Sequence, residues 1–202
     1  AVATSTVTVQ DGDDEDGDGV NNSVEDSNPF NSGDGNGDGT PDSEQQDVSG
    51  APNPVTGDYT TLAVTGSCVF ITENAFIAES SLSVQDPDAN YPVGLVDFQV
   101  QCPGPGQSAN VTIYYTEQYD TTGWSYKKYN SLGSVYADIS GIVTFGTAVV
   151  GGDTVTTASF TVTDGDSQTD EDGVADNLIN DPSGPSVVAT TPSSGGGGSG
   201  SG

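Results

Sequence analysis

The sequence contains no histidine, no methionine, two cationic side chains and no long apolar run, and each shortage removes a class of function. Without histidine the commonest general acid–base group is missing, and with it the base that would activate a serine or cysteine nucleophile. No GxSxG stretch compensates. Lys127 and Lys128 are the whole cationic complement against 30 Asp and Glu, a formal net charge of -28. Such a chain repels nucleic acid and anionic membrane surfaces. No segment approaches the roughly 18 apolar residues that a membrane-spanning helix needs. With no initiating methionine, Ala1 reads as the residue left by signal-peptide cleavage. The only cysteines, Cys68 and Cys102, sit in or just after strand-like runs. In an exported chain an even pair reads as one structural disulfide. Closing a loop of about 33 residues would contribute roughly 3–4 kcal/mol in the chain-entropy view.

What the sequence does have is acid in blocks: 13 of the 30 carboxylates fall in residues 11–47 and seven in 164–181. The first block is organised. Asp14, Asp16, Asp18, Asn22 and Glu25 place oxygens at positions 1, 3, 5, 9 and 12 of a loop, with the Val20 carbonyl at 7 and Gly19 at the sharp turn. That spacing brings hard oxygens from alternate residues to one point, as Ca2+ requires. A second copy follows in Asp34, Asn36, Asp38, Thr40 (carbonyl) and Asp42. Its twelfth position is Gln45, so Glu44 is expected to substitute from one residue earlier and the site to be weaker. A disordered acidic linker is the competing reading, but the repeated register of glycines argues against it. A third, degenerate run offers Asp170, Asp172, the Val174 carbonyl and Asp176, with Gln168 and Ile179 where acids would be wanted.

The rest of the chain reads as β. Residues 1–10, AVATSTVTVQ, form an isolated β-branched strand that must pair with a distant strand or with a sheet edge on another molecule. After a Pro/Gly-rich boundary at 49–57, strand-like runs follow at 59–65, 68–72, 76–84, 93–101, 109–119, 124–129, 140–150 and 155–163. Val96, Phe98 and Val100 share one face of their strand, and Val111, Ile113 and Tyr115 share one face of the next. No helical periodicity is present. The expectation is an all-β fold, a sandwich of immunoglobulin-like or jelly-roll type over residues 48–190, preceded by irregular calcium-binding loops at 11–47. An edge strand within PSGPSVVATTP and a Gly/Ser linker at 191–202 complete the chain.

Closely spaced D-x-D-x-D-G loops with short turns resemble thrombospondin type 3 repeats in their bacterial form, over about residues 11–47. Further on, YPVGLVDFQVQC, ANVTIYY, YKKYNS and FTVTDGDSQTDEDGVADNLINDPSGP resemble the choice-of-anchor U domain of bacterial surface proteins. That resemblance implies export, a sandwich-like domain behind calcium repeats and a Gly/Ser stretch ahead of a sorting signal. It implies no enzymatic activity. The carboxylates outside the acidic blocks, among them Glu73, Glu79, Asp97 and Glu117, are scattered, so no acid–base pair is expected. Trp124, Tyr126 and Tyr129 read either as a glycan-binding platform or as a strand whose lysines neutralise nearby acids. The leading expectation is a secreted, calcium-stabilised bacterial surface protein that self-associates into an extracellular filament through its first strand. The alternative is a monomeric adhesin or carbohydrate-binding module contacting other cell-surface components.

Overall fold

The computed structural model describes residues 13–189, so the strand expected at 1–10 and the linker at 191–202 lie outside the described residues. Two antiparallel sheets pack face to face as a β-sandwich. Along the chain the strands are β1 (Val48–Pro52), β2 (Tyr59–Gly66), β3 (Phe70–Ile77), β4 (Ala89–Asn90), β5 (Leu95–Gln101) and β6 (Ser108–Tyr115). Then come β7 (Ser125–Asn130), β8 (Val135–Asp138), β9 (Thr144–Val150), β10 (Asp153–Thr163) and β11 (Leu178–Val188). One sheet runs β1-β2-β6-β10-β9; the other runs β3-β5-β11-β7-β8, with β4 paired to the end of β11.

Period-two alternation builds the interface between the sheets. Val96, Phe98 and Val100 of β5 and Val111, Ile113 and Tyr115 of β6 are buried, as the sequence pattern predicts. Leu62, Ile71, Tyr126, Phe160 and Ile179 join them in one continuous core. Cys68 and Cys102 are bonded to each other and buried, tying the β2–β3 turn to the end of β5.

Four expectations change. The presumed boundary at 49–57 begins with β1, whose Gly and Pro hide a strand fully paired with β2 from Val48↔Ala63 to Pro52↔Tyr59. Runs 68–72 and 76–84 are one strand, β3, with a bulge between Ile71 and Glu73; the remainder turns into a short 3-10 segment at Glu79–Ser81. The run at 140–150 starts as a strand only at Thr144, after a 3-10 turn at Ser140–Ile142. The expected last edge strand is instead part of β11, which lies inside its sheet between β5 and β7. Its prolines, Pro182 and Pro185, are tolerated because β11 changes partner midway. Residues 178–183 pair with β5 and residues 183–186 with β7, so each proline lies where one neighbour alone is laddered.

The acidic segment is folded onto the sandwich. Val20 is buried in the main core and Val24 packs against it. The Val24 carbonyl accepts the Tyr59 hydroxyl at 2.9 Å, and the Gln46 carbonyl accepts the Ile71 N–H at 3.0 Å.

Candidate metal centre

Residues 13–25 form a tight loop closed by its own polar groups. Asp14 Oδ1 accepts the Gly17 N–H at 2.8 Å, Asp18 Oδ1 accepts the Val20 N–H at 2.7 Å, and the Asp13 carbonyl accepts the Asn22 N–H at 2.6 Å. Gly19 turns at φ +91, where a Cβ would sit 2.9 Å from the Thr72 carbonyl oxygen of β3. The loop therefore lies flush against a strand, which only glycine allows. One helical turn, α1 (Asn22–Glu25), then swings Glu25 back under the loop.

Carboxylate oxygens of Asp14, Asp16 and Asp18 all lie within 4.8 Å of one another. Asp18 is fully buried and Glu25 is 1% exposed. Glu25 Oε1 accepts the Gly50 N–H of β1 at 2.9 Å. Its other oxygen, Oε2, is buried without a hydrogen-bond partner, and so are Asp16 Oδ2 and Asp18 Oδ2. Three unpartnered carboxylate oxygens, at loop positions 3, 5 and 12, are costly unless a cation or a proton meets them.

Their acidity follows. Burial, then the charge of Asp18, pushes Glu25 up to about 9 and Asp16 up to about 7. Burial also raises Asp18 to about 6. An all-oxygen set of three Asp, a Glu and a backbone carbonyl fits Ca2+, a hard cation that takes 6–8 oxygens. Asn22, expected at position 9, instead turns its Oδ1 onto the Glu15 N–H at 2.8 Å and its Nδ2 onto the Ser43 carbonyl at 3.3 Å.

The second loop is built alike but closed differently. Asp34 Oδ1 accepts the Gly37 N–H at 2.8 Å and Oδ2 the Gly39 N–H at 2.9 Å. Asn36 Nδ2 donates to Asp38 Oδ2 at 3.0 Å, and Gln45 Nε2 bridges Asp38 Oδ1 at 3.4 Å and the Thr40 carbonyl at 3.2 Å. Amide hydrogens thus span the ligand positions, with Gln45 standing where a twelfth-position acid would be. Asp42 does not join the loop's other acids. It turns inward, 1% exposed, where Oδ1 accepts the Gly35 N–H at 2.9 Å and Oδ2 the Thr61 hydroxyl at 3.1 Å; burial raises it to about 7. Glu44 lines a shallow surface cleft with Glu15, Asp16 and Ser43, on the side of the first loop. Asp26 Oδ1 accepts the Ser43 hydroxyl at 2.7 Å, joining the two loops.

The third run is not gathered into a cluster. Asp170, fully buried, accepts the Gly165 N–H at 2.9 Å and the Asn180 N–H at 3.2 Å through different oxygens. Asp172 accepts the Val174 N–H at 2.8 Å, and Asp176 accepts the Leu178 N–H at 3.1 Å. Val174 is exposed. Asp164 takes the Asp176, Asn177 and Gly106 N–H groups. These carboxylates hold the backbone of the connection between β10 and β11.

Trp124, Tyr126 and Tyr129 do not share an exposed face. Tyr126 lies in the main core, 5.3 Å from the Phe160 ring, and Tyr129 packs in a second cluster with Tyr91 and Leu95. Half-buried Trp124 lies between Tyr119 and Phe145. The lysines between them are ion-paired, Lys127 with Asp86 and Lys128 with Asp181.

Sequence reasoning missed Gly50 and Thr61, the sandwich residues that receive Glu25 and Asp42. The available signal was the glycine in VSGAP, directly after the acidic block. At Gly50 a Cβ would lie 2.4 Å from Asp42 Oδ2.

No family model, curated protein or solved structure matches the chain. The two resemblances therefore rest on the sequence motifs alone.

Proposed function

We propose that this chain is a secreted bacterial cell-surface structural subunit whose first acidic loop binds calcium and welds the repeats to the sandwich. The observation that carries this reading is the trio of buried, unpartnered oxygens on Asp16, Asp18 and Glu25, with Glu25 also bonded to β1. Calcium supplies the charge those oxygens lack and so orders a segment with too few apolar side chains to hold itself. The buried disulfide, a bond of oxidising compartments, supports an extracellular setting.

Assembly proceeds by strand addition to β9. Of the four sheet edges among the described residues, β1 and β3 are screened by the acidic segment, through Glu25 on Gly50 and Gln46 on Ile71. β8 spans four residues and ends in Asp138. β9 is seven residues long with neither charge nor proline; the second loop meets only its end, where Gly37 lies against Val149 and Val150, and the Val149 side chain is still 69% exposed. Natural proteins seldom leave such an edge open. The occupant is the β-branched stretch 1–10 of a second copy.

Negative-stain microscopy of the full chain, with calcium and after chelation, tests this reading. Filaments that fray on chelation and vanish on deletion of residues 1–10 are expected. Compact monomers in every condition would overturn the assembly.

A further inference from the structure

One of the protein's two cations is inside the fold. Lys128 of β7 and Asp181 of β11 have side chains 2% and 0% exposed, with Nζ 2.6 Å from Oδ1. Their strands are neighbours, with Ser183 opposite Lys128, so Asp181 is the diagonal residue. The surroundings are ordered around this contact. Nζ also donates to the Thr169 carbonyl at 3.2 Å and the Asn180 carbonyl at 3.0 Å. On the other side, the buried Ser183 hydroxyl donates to Asp181 Oδ2 at 3.3 Å.

We propose that Lys128 and Asp181 condense into an intramolecular isopeptide bond. Nζ forms a bond to Cγ of Asp181 and the Cγ–Oδ1 bond breaks. Oδ1 leaves as water, carrying two of the ammonium protons, while Oδ2 becomes the amide oxygen and keeps the Ser183 hydroxyl as donor. One hydrogen stays on nitrogen, facing the Thr169 and Asn180 carbonyls. Ammonium and carboxylate thus become a neutral amide plus one water, with no oxidant, reductant or cofactor.

The setting favours the step twice over. A nucleophile and an electrophile held in contact react as one molecule, with effective concentrations far beyond those in solution. A buried ion pair also carries a desolvation cost that a neutral amide does not. Burial holds the Asp181 carboxyl above its usual range against the pull of Lys128, towards the protonated form that nitrogen can attack. The bond would tie β7 to β11 where their ladder is four residues long.

The test is the intact mass of the folded, purified full chain after disulfide reduction, followed by peptide mapping. The expected mass is one water below the sequence mass, with a branched peptide joining Lys128 to Asp181. In Lys128→Arg the deficit should disappear. A wild-type mass equal to the sequence mass overturns the proposal. So does a deficit that persists in Lys128→Arg, because the many Asp-Gly steps can lose water by cyclising to succinimides. Should Lys128→Arg fail to fold, the wild-type mass and the branched peptide decide alone.

Discussion

Glu25 and Gly50 are joined by a hydrogen bond of 2.9 Å from the Gly50 N–H to Oε1, across 25 residues of chain. The last acid of the first loop is thereby fastened to the first strand of the sandwich. Whatever neutralises that loop is felt by β1, and through β1 by its sheet.

Replacing Glu25 by Gln separates the two roles of this carboxylate. The amide keeps the shape and the contact to Gly50 but needs no proton to be neutral when buried, whereas Glu25, pushed up to about 9, must take one up on folding. The metal-free Glu25→Gln chain should therefore unfold at higher denaturant than wild type near pH 8. Its calcium affinity should fall at least about tenfold, ~1.4 kcal/mol. Chemical denaturation and calorimetric titration of the two proteins read both effects, which have opposite signs.

Acidity gives a second expectation. Asp16, Asp18, Glu25 and Asp42 are raised to about 7, 6, 9 and 7, so between roughly pH 4 and 9 the folded metal-free chain binds more protons than the unfolded one. Stability must then fall as pH rises through that window. In chelator, the denaturation midpoint should be higher at pH 5 than at pH 8. In millimolar calcium the order should invert, because protons compete with the metal for the same oxygens.

Gly50→Ala tests the seat of both loops. A Cβ there meets Asp42 Oδ2 at 2.4 Å, with the Thr61 hydroxyl at 3.4 Å. The expected cost is about 1–3 kcal/mol, as for other overpacked sites, together with weaker calcium binding by the first loop. A neutral outcome in thermal unfolding would show that Asp42 can swing away freely.

Val149→Lys places a charge on the open edge at a side chain 69% exposed. Folding stability should stay within about 0.5 kcal/mol, while sedimentation should show loss of assembly equal to that from deleting residues 1–10. Assembly at wild-type level would move the docking edge elsewhere.

The parts of this structure readable from the sequence are those that local pattern controls. Val96, Phe98 and Val100 alternate, and a strand buried on one face needs nothing more to declare its register. The D-x-D-x-D-G spacing likewise encodes a loop that closes on itself, as the Asp14, Asp16 and Asp18 oxygens do. What stayed hidden depends on distant partners. VSGAP reads as a boundary until Asp42 is seen to occupy the space of the Gly50 side chain. Asp42 itself sits at a ligand position by spacing, yet Thr61 and the Gly35 N–H draw it into the sandwich. Pro182 and Pro185 argue against a central strand unless the change of partner at Ser183 is known. Asp170, Asp172 and Asp176 resemble ligands because a carboxylate that caps backbone N–H groups in a turn has the same Asp/Gly-rich signature as one that holds a metal.

The most direct measurement is the thermal unfolding midpoint of the full chain against calcium concentration, with magnesium and chelator as references. A saturable rise is predicted, corresponding to about 2.7 kcal/mol at a hundredfold excess over the dissociation constant, absent in a chain carrying Asp16→Asn, Asp18→Asn and Glu25→Gln together. A midpoint that ignores calcium, or that shifts equally in the triple variant, would contradict the assignment of a metal to the first loop.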